Sequence, residues 1–338
     1  MIREAIAKLV ENGDLVQKDA ESVMGEIMRG EATPSQISAF ITALRMKGET
    51  IEEIAGCARA MRANAIRVSP KATRLVDTCG TGGDGTGTFN VSTVVALVAA
   101  GAGLKVAKHG NRSVSSHCGS ADLLESLGVK IDLGPDGVAK CIDEVGIGFL
   151  FAQKFHPAMK YAAVPRKELG IRTIFNILGP LTNPAFATVQ LLGVFNDKLT
   201  EPMANVLNLL GSESAVVVHG AGGMDELTTT GLNRVTRLDR GHVRTFEMDP
   251  AELGLKRATL PEIKGGSPQE SARTAMDILE GKDGARRDMV LLNAAAVFVA
   301  EGSAPDFKDG MAMAAESIDK GRAKAKLEAL IKLSQSLV

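Results

Sequence analysis

The residues best suited to chemistry in this sequence form a glycine-rich stretch between an apolar strand pattern and an apolar helix pattern. Five glycines lie between Gly80 and Gly87, and Asn90, Ser92 and Thr93 follow them. Glycine has no Cβ, so the backbone can turn tightly and bring its N–H groups against a ligand. The start of a helix also presents free N–H groups and the positive end of a dipole, which favour an anion. The stretch therefore predicts a phosphate-binding turn.

This turn alone leaves its ligand open, because glycine-rich turns between strands and helices are common in α/β proteins. The spacing lacks the Lys-Ser/Thr end of a P-loop. A dinucleotide site would also place an acidic residue about 20 residues further on, near a ribose hydroxyl. Lys108 and His109 stand near that place instead. A turn with a purely structural role is therefore the alternative for this stretch alone.

A second polar stretch follows the next predicted strand. It runs through residues 108–112 and continues to Ser115, Ser116 and Ser120. Parallel strands place their carboxyl ends at one edge of a sheet, where α/β ligand sites form. Lys108 and Arg112 supply positive charge, and the serines supply hydroxyl donors. The two stretches together predict a ligand with phosphate groups at two ends.

Two further elements carry charge after apolar segments. Asp225 and Glu226 follow the apolar strand pattern at 215–218. Mg²⁺ prefers oxygen ligands and commonly bridges to a substrate phosphate, so this pair predicts a magnesium site beside the phosphate turns. An isolated Asp-Glu pair would instead indicate a solvated turn. Arg166 can hold a carboxylate through two hydrogen bonds, with a surface salt bridge as the alternative.

The elements that position these residues fall into two parts. Residues 1–70 predict helices alone, with capping boxes at Thr33–Gln36 and Thr50–Glu53. From about residue 74, short apolar strands alternate with helices, which is typical of a largely parallel sheet covered by helices. A single basic amphipathic helix is predicted for 309–337. The predicted strands are 74–77, 104–107, 147–151, 188–194 and 214–219.

Bulk properties restrict the function classes. The 338-residue chain has a net charge of −1, so no broad basic field favours nucleic acid or an anionic membrane. The four cysteines are scattered without a CxxC pair, which indicates free thiols in a reducing compartment. The first residues do not resemble a signal peptide, and no apolar run reaches the ~18 residues of a membrane span. We therefore expect a cytoplasmic protein without nucleic-acid or membrane partners.

Several separated motifs, in the same order, resemble the anthranilate phosphoribosyltransferase family. The motifs lie at residues 80–84, 90–93, 108–112, 176–184 and 225–226. The resemblance extends from the N-terminal helices to the region near residue 300, so it covers nearly the whole chain. Because the motifs are separate and ordered, the resemblance is specific.

The resemblance implies a small all-helical N-terminal domain beside a larger α/β domain with a mostly parallel central sheet, similar to the nucleoside phosphorylases. The small domain would comprise residues 1–70, joined by a segment near 165–185, and would form a homodimer. Residues 71–338 would form the catalytic domain. The implied reaction joins phosphoribosyl pyrophosphate (PRPP) to the amine of anthranilate, with Mg²⁺, in tryptophan biosynthesis. Association with anthranilate synthase subunits is a further expectation.

Carried over position by position, the resemblance implies which residues contact each ligand. No catalytic residue is assigned, and the candidates are His109, Asn111 and Arg166. His109 could take a proton late in the reaction, although a structural imidazole is the favoured interpretation. The implied PRPP contacts are Gly80, Gly83, Asp84, Thr88, Asn90, Val91, Ser92, Thr93, Lys108, Ser116 and Ser120. The implied anthranilate contacts are Gly80, Asn111, Arg166, His109 and Pro180, and the implied metal ligands are Ser92, Asp225 and Glu226.

Two other functions remain to be distinguished. A pyrimidine nucleoside phosphorylase shares the fold and a lysine-containing loop, but residues 108–112 and the Arg166 segment speak against it. A non-enzymatic paralogue that binds nucleic acid should show a basic groove and interrupted motifs. This chain has a balanced charge and intact motifs instead.

Overall fold

The computed structural model describes residues 1–113 and 118–337. Its first part is helical, with α1 (Ile2–Val10), α2 (Gln17–Met28), α3 (Pro34–Lys47) and α4 (Ile51–Ala63). At the start of α3, the Thr33 hydroxyl accepts the Gln36 amide while the Gln36 side chain accepts the Thr33 amide. Thr50 and Glu53 form the same reciprocal pair before α4. Both predicted capping boxes are therefore confirmed.

The described strands form a seven-stranded sheet in the order β3-β2-β1-β4-β5-β6-β7. Pairs among β1 to β5 are parallel, and β6 pairs with β5 and β7 in antiparallel fashion. The expectation of a mostly parallel sheet is therefore confirmed. The strands are β1 (Val76–Asp77), β2 (Val106–Gly110), β3 (Ile147–Phe151), β4 (Val189–Gly193), β5 (Ser214–His219), β6 (Asn233–Asp239) and β7 (His242–Met248).

The hairpin of β6 and β7 is the part of the sheet that the sequence analysis does not predict. Both strands carry several charged residues, and β7 lies partly exposed at the edge of the sheet, so their hydrophobic signal is weak. Arg240 and Gly241 connect them, both with positive φ, 46° and 88°. A two-residue turn of this kind matches the right-handed twist of a hairpin.

The remaining helices cover the sheet. The expectation of one helix over 309–337 is wrong, because the chain breaks at Gly321, whose φ is 67°. A residue in the left-handed region ends a regular helix. The α-helices are α5 (Val91–Gly101), α6 (Ser120–Ser126), α7 (Pro135–Glu144), α8 (Ala152–Phe155), α9 (Lys160–Leu169), α10 (Phe175–Leu178), α11 (Thr200–Leu209), α12 (Pro268–Leu279), α13 (Ala285–Glu301), α14 (Phe307–Asp319) and α15 (Arg322–Ser336). Short 3-10 helices span Pro157–Met159, Gly179–Leu181, Asp197–Leu199, Ala221–Gly223, Pro250–Leu253 and Leu260–Ile263.

The sheet separates two apolar cores. Alternate residues of a strand face opposite sides, so Leu191 and Val216 join the core with α5 and α13. Leu192 and Val217 join the other core, with α11 and the N-terminal helices. Burying a side chain of this size contributes about 2 kcal/mol. The second core also includes residues of α9 and α10. The predicted division into residues 1–70 and 71–338 stays a prediction.

Three parallel strands end at the polar stretches. The glycine stretch follows β1, residues 111–113 follow β2, and the acidic pair follows β5. Because neighbouring parallel strands end at one edge, the topology places these segments together. Among the residues that the structure describes, no helix has the length and apolar character needed to cross a membrane.

Candidate active site

The glycine stretch after β1 uses the conformational freedom that its composition predicts. Gly82, Gly83, Gly85 and Gly87 have φ values of 66°, 72°, 74° and 67°. Side chains with a Cβ rarely adopt this left-handed region. The Gly265 amide donates to the Gly87 carbonyl at 2.8 Å. The stretch therefore forms a series of tight turns whose far end is held by a distant segment.

Two predicted PRPP residues shape this stretch from within. The Asp84 carboxylate accepts the Thr86 amide at 3.2 Å and also binds the Thr86 hydroxyl. Thr88 forms an antiparallel bridge with Lys264. Such a local carboxylate-to-amide bond is a common way to stabilise a turn. Contacts within the chain therefore hold this loop in its conformation.

The start of α5 carries three of the residues predicted to contact PRPP, together with Val91. Asn90 is the residue before the helix, and its side-chain amide donates to the Cys118 carbonyl at 2.9 Å. Among the described residues, neither the Asn90 Oδ1 nor the buried Thr93 hydroxyl has a hydrogen-bond partner. Val91 is buried, and Ser92 is partly exposed. Both atoms are shielded from solvent and lie at the start of α5, directly after the glycine stretch.

Lys108 is buried beneath the turns. Its ammonium donates to the Thr78 carbonyl at 3.1 Å and to the His109 carbonyl at 3.2 Å. Its side chain is only 2% exposed. Its positive charge lowers the pKa of both Asp77 and Glu226, although burial of each carboxyl dominates and raises it. Lys108 is therefore a buried cation whose charge acts on the carboxyls of Asp77 and Glu226.

The acidic pair contacts the glycine stretch directly. Asp225 Oδ2 accepts the Gly82 amide at 2.6 Å. Burial raises the pKa of Asp225 to about 6, and the charge of Asp84 adds to this shift. Burial and the charge of Asp225 raise the pKa of Glu226 well above its usual value, opposed by a hydrogen bond from the Ser92 backbone. Carboxylates that crowd together in this way are the hard oxygen ligands that Mg²⁺ takes.

Two glycines allow this close approach. A Cβ on Gly80 would lie 2.7 Å from Asp225 Oδ2, and one on Gly193 would lie 1.5 Å from the Asp225 carbonyl oxygen. The Thr81 amide also donates to the Gly193 carbonyl at 2.9 Å. Gly193 ends β4 and is not singled out by the sequence analysis. The sequence feature that could have identified it is a glycine at the end of an apolar strand.

The segment after β2 places Asn111 beside α6. Asn111 is exposed, and its carbonyl accepts the Ser120 hydroxyl at 3.2 Å. A Cβ on Gly110 would lie 2.1 Å from Ser120 Oγ, so glycine is needed there. Ser116, a predicted PRPP contact, lies outside the described residues.

Arg112 already has anionic partners. It forms ion pairs with Asp122 at 2.9 Å and with Glu125 at 2.7 Å. Asp122 also accepts the amides of Ser113 and Gly119 at 3.1 and 2.9 Å. These ion pairs reduce the charge that Arg112 offers to a phosphate. Arg112 instead holds Asp122, the residue that accepts the Ser113 and Gly119 amides.

Arg166 is the cation expected to hold the anthranilate carboxylate. It lies in α9, half-buried, with its guanidinium 5.2 Å from the centre of the Phe175 ring. Burial lowers its pKa, and no carboxylate among the described residues forms an ion pair with it. The surface salt bridge that served as the alternative is therefore not observed in the described part of the chain. Its bidentate face remains free for an anion.

Arg172 contacts both the glycine stretch after β1 and the segment after β4. Its guanidinium donates to the Gly83 carbonyl and lies 4.3 Å from the centre of the Phe195 ring. The sequence signal for this role is weak, since an exposed arginine is usually a solvated side chain. Pro180 is buried in a 3-10 turn, and its carbonyl accepts the Gln190 side chain at 2.7 Å.

His109 is buried beside a second histidine. The His109 and His156 rings lie 5.2 Å apart. Burial, the neighbouring His156 and Lys108 lower the pKa of His109 well below its usual value, and burial lowers the pKa of His156 to about 4. Both rings are therefore neutral at pH 7. A neutral ring can accept a proton, but this environment binds that proton weakly.

Asp77, Cys79 and His109 also place possible metal-ligand atoms within 4.8 Å of one another. Their environment fits a hydrogen-bonded core better than a cation site. Both Asp77 oxygens already accept hydrogen bonds, and burial raises the pKa of the Cys79 thiol to about 12. Metal ligation requires a thiolate. Asp77 is not among the residues that the sequence analysis selects.

Family models match most of the chain. A glycosyl transferase family model for the a/b domain matches residues 72–324, and one for the helical bundle domain matches residues 3–65. Among curated proteins, the anthranilate phosphoribosyltransferase of Moorella thermoacetica is 55% identical over 331 residues, covering 98% of each chain. That of Acetivibrio thermocellus is 52% identical over 338 residues, covering 100% of this chain and 98% of the relative.

Solved structures of anthranilate phosphoribosyltransferases have the same fold as this chain. The crystal structure of anthranilate phosphoribosyltransferase from Thermus thermophilus has a TM-score of 0.94 and 46% identity, covering 98% of this chain and 99% of that one. The Saccharomyces cerevisiae enzyme in complex with PRPP and Mg has a TM-score of 0.91 and 31% identity, covering 99% and 98%. The chain therefore belongs to the glycosyl transferase family and, within it, to the group of anthranilate phosphoribosyltransferases.

Proposed function

We propose that this chain transfers the 5-phosphoribosyl group of PRPP to the amine of anthranilate, giving N-(5-phosphoribosyl)anthranilate and pyrophosphate in tryptophan biosynthesis. One observation carries the proposal. The Asp225 carboxylate accepts the Gly82 amide, so a crowded acidic pair and a turn rich in amides lie at the same sheet edge. Family membership and the free Arg166 guanidinium support the same conclusion.

In this proposal the glycine stretch and the start of α5 bind PRPP. Gly80, Gly83, Asp84, Thr88 and residues 90–93 line the turn, with Lys108 beneath it and Ser120 beyond. Amide hydrogens and the helix dipole stabilise negative charge in fixed positions, without rearranging during the reaction. Asn90, at the start of α5, would be among the residues that contact PRPP. These groups act most strongly when pyrophosphate departs.

The metal would be held by Ser92, Asp225 and Glu226. Burial raises the pKa of both carboxyls and neighbouring acidic charges raise it further, so a bound divalent cation would favour their ionised forms. Bound Mg²⁺ supplies positive charge that neutralises the leaving pyrophosphate. The Gly82 amide keeps Asp225 oriented for that role.

Anthranilate would lie between Arg166 and the end of β2. Arg166 would hold its carboxylate, Asn111 would orient the ring, and His109 and Pro180 would stand nearby. The C1–O bond breaks with its electron pair going to pyrophosphate, while the amine nitrogen forms the new bond to C1. An aryl amine is neutral at pH 7, so the residues must position it rather than deprotonate it first. The released proton passes to solvent, because burial makes His109 a weak base.

The assay for this proposal follows anthranilate fluorescence. We expect fluorescence to fall when PRPP and Mg²⁺ are both present and to stay constant when either is omitted. A parallel reaction with a pyrimidine nucleoside and inorganic phosphate tests the phosphorylase alternative. A gel shift with duplex DNA at low and high salt tests the nucleic-acid alternative. Constant fluorescence in the complete mixture would contradict the proposed function.

We also propose that the chain acts in the cytoplasm as a homodimer joined through its helical part, and association with anthranilate synthase subunits stays a prediction. Exposed apolar side chains support the dimer, because Met46 of α3 is 84% exposed and Val164 of α9 is 55% exposed. Sedimentation velocity should show a dimer for the wild type and a monomer for Met46→Glu with Val164→Glu. Leu232→Glu, an exposed apolar residue of the α/β part, is the control.

A further inference from the structure

The Asp77 carboxylate joins three segments at the end of β1. Its Oδ1 accepts the Thr78 amide at 2.7 Å and the His109 amide at 3.1 Å. Its Oδ2 accepts the Asn183 side-chain amide at 2.7 Å. Asp77 is fully buried. A buried carboxylate with three protein donors has little capacity left for a substrate.

Asn183 is held in one orientation by its other bonds. Its Nδ2 also donates to the Ala107 carbonyl at 2.8 Å, and its Oδ1 accepts the Ala185 amide at 2.8 Å. Because the acceptor side of the amide is occupied by Ala185, Nδ2 must face Asp77. Burial raises the pKa of Asp77, while the Lys108 charge and the hydrogen bonds from Asn183, His109 and Thr78 oppose this shift by favouring the carboxylate form.

In the proposed function, these three segments would contact different substrates. Thr78 leads into the PRPP turn, His109 precedes Asn111 on the anthranilate side, and Asn183 ends the segment that contains Pro180. We propose that Asp77 is a positioning residue, which sets the distance between the two bound substrates through Thr78, His109 and Asn183. This inference rests on the proposed function. Transfer needs reacting atoms about 3–3.5 Å apart, and a misplacement of about 1 Å can lower the rate about 100-fold.

A swap of the two side chains tests this role. Asp77→Asn keeps an oxygen for the two backbone amides but turns an NH₂ group toward the NH₂ group of Asn183. Asn183→Asp alone turns two carboxylates toward each other. The double variant, Asp77→Asn with Asn183→Asp, again places one donor opposite one acceptor between residues 77 and 183. Asp143→Asn is the matched control, because Asp143 also accepts backbone amides, from Lys71 and Ala72, outside the site.

The readouts separate positioning from stability. For Asp77→Asn we expect kcat to fall about 100-fold, with little change in the affinity for PRPP with Mg²⁺ measured by calorimetry. The melting temperature should fall, because two NH₂ groups face each other at a buried position, so kcat is measured at a temperature where the variant is fully folded. The double variant should recover about 10-fold of that loss. The recovery is partial because the bond from Asn183 to Ala107 is lost. Asp143→Asn should keep the wild-type kcat.

Three results would overturn the inference. One is a wild-type kcat in folded Asp77→Asn, the second is no recovery in a folded double variant, and the third is a kcat loss that the folded fraction alone explains. If Asp77→Asn does not fold, Asn183→Ala replaces it, and a wild-type kcat there contradicts the role. If the wild type itself transfers no phosphoribosyl group, the proposed function fails. Non-additive melting temperatures across the swap would still show whether the pair interacts.

Discussion

The Gly82 amide donates to the Asp225 carboxylate at 2.6 Å, which joins the turn after β1 to the loop after β5. The two residues are 143 positions apart in the chain. Because β4 lies between β1 and β5, the contact crosses the end of an intervening strand. It brings together the backbone donors suited to phosphate and the acids suited to a metal.

The acidic pair should control the response to magnesium. Asp225→Asn and Glu226→Gln each remove one anionic oxygen ligand without changing side-chain size. We expect the Mg²⁺ concentration for half-maximal activity to rise by at least about 10-fold. Titrations at saturating PRPP and anthranilate provide the measurement, with the exposed Asp136→Asn as control. Magnesium curves that match the wild type in both variants would refute the assignment.

The raised pKa of Asp225 predicts a pH effect with a definite sign. Its pKa rises from an ordinary value of 3.8 to about 6, chiefly through burial. Because the folded value is the higher one, this group contributes stability that is fully present below pH 3.8 and is lost as pH rises through about 6. Without metal, the wild type should therefore lose free energy of unfolding over this window relative to Asp225→Asn.

Urea unfolding at about pH 5 and about pH 7 measures this difference. Protons also compete with a metal for the carboxylate, so Mg²⁺ affinity should weaken as pH falls below about 6. Calorimetric titration of Mg²⁺ in the presence of PRPP checks the second effect. A wild type and an Asp225→Asn variant that share one pH profile in both experiments would show that Asp225 does not titrate in this range.

Arg166 should determine affinity for anthranilate. Loss of a charged hydrogen bond costs about 1.5–3 kcal/mol, so Arg166→Ala should raise KM for anthranilate about 10- to 100-fold and leave KM for PRPP nearly unchanged. Arg166→Lys should be intermediate because an ammonium lacks the bidentate face. The exposed neighbour Lys167→Ala is the control. Equal increases in both KM values would count against a carboxylate contact.

Gly193 should be intolerant of a side chain. A Cβ there would lie 1.5 Å from the Asp225 carbonyl oxygen, so the loop after β5 must move. We expect Gly193→Ala to lower the free energy of unfolding by about 1–3 kcal/mol. The same substitution should weaken Mg²⁺ binding, because it displaces Asp225. Gly134→Ala is the matched control, because Gly134 has a φ of −72° and open space around its Cβ position. Similar unfolding curves for the two variants would contradict this packing.

The sequence predicts the parallel part of the sheet well because buried strands and capped helices have strong local patterns. The Thr33 and Thr50 capping boxes and the apolar strand at 214–219 are examples. The β6–β7 hairpin is not predicted, since both strands carry several charged residues and the residues of β7 are mostly exposed or half-buried. The break at Gly321 is also not predicted, because a single glycine has only a weak effect on a helical pattern.

The candidate site could be predicted where function needs a distinctive local run of residues, as in the glycine stretch. Other contributors depend on contacts between distant segments. Asp77 is recognised through its bonds to His109 and Asn183, and Gly193 through its distance to Asp225. The residues that neighbour Asp77 and Gly193 in the sequence do not indicate these contacts with distant segments. Arg112 shows the converse, since its charge suggests a phosphate ligand while its ion pairs with Asp122 and Glu125 show another use.

The central claim is that the turn after β1 and the acids after β5 form one binding site. Crystals grown with PRPP and Mg²⁺ test it most directly. The pyrophosphate should lie on the amides of residues 80–93, with the metal bound to Asp225 or Glu226 and bridging to a phosphate oxygen. Density for PRPP elsewhere on the sheet, with an empty turn and no metal at these acids, would contradict the account.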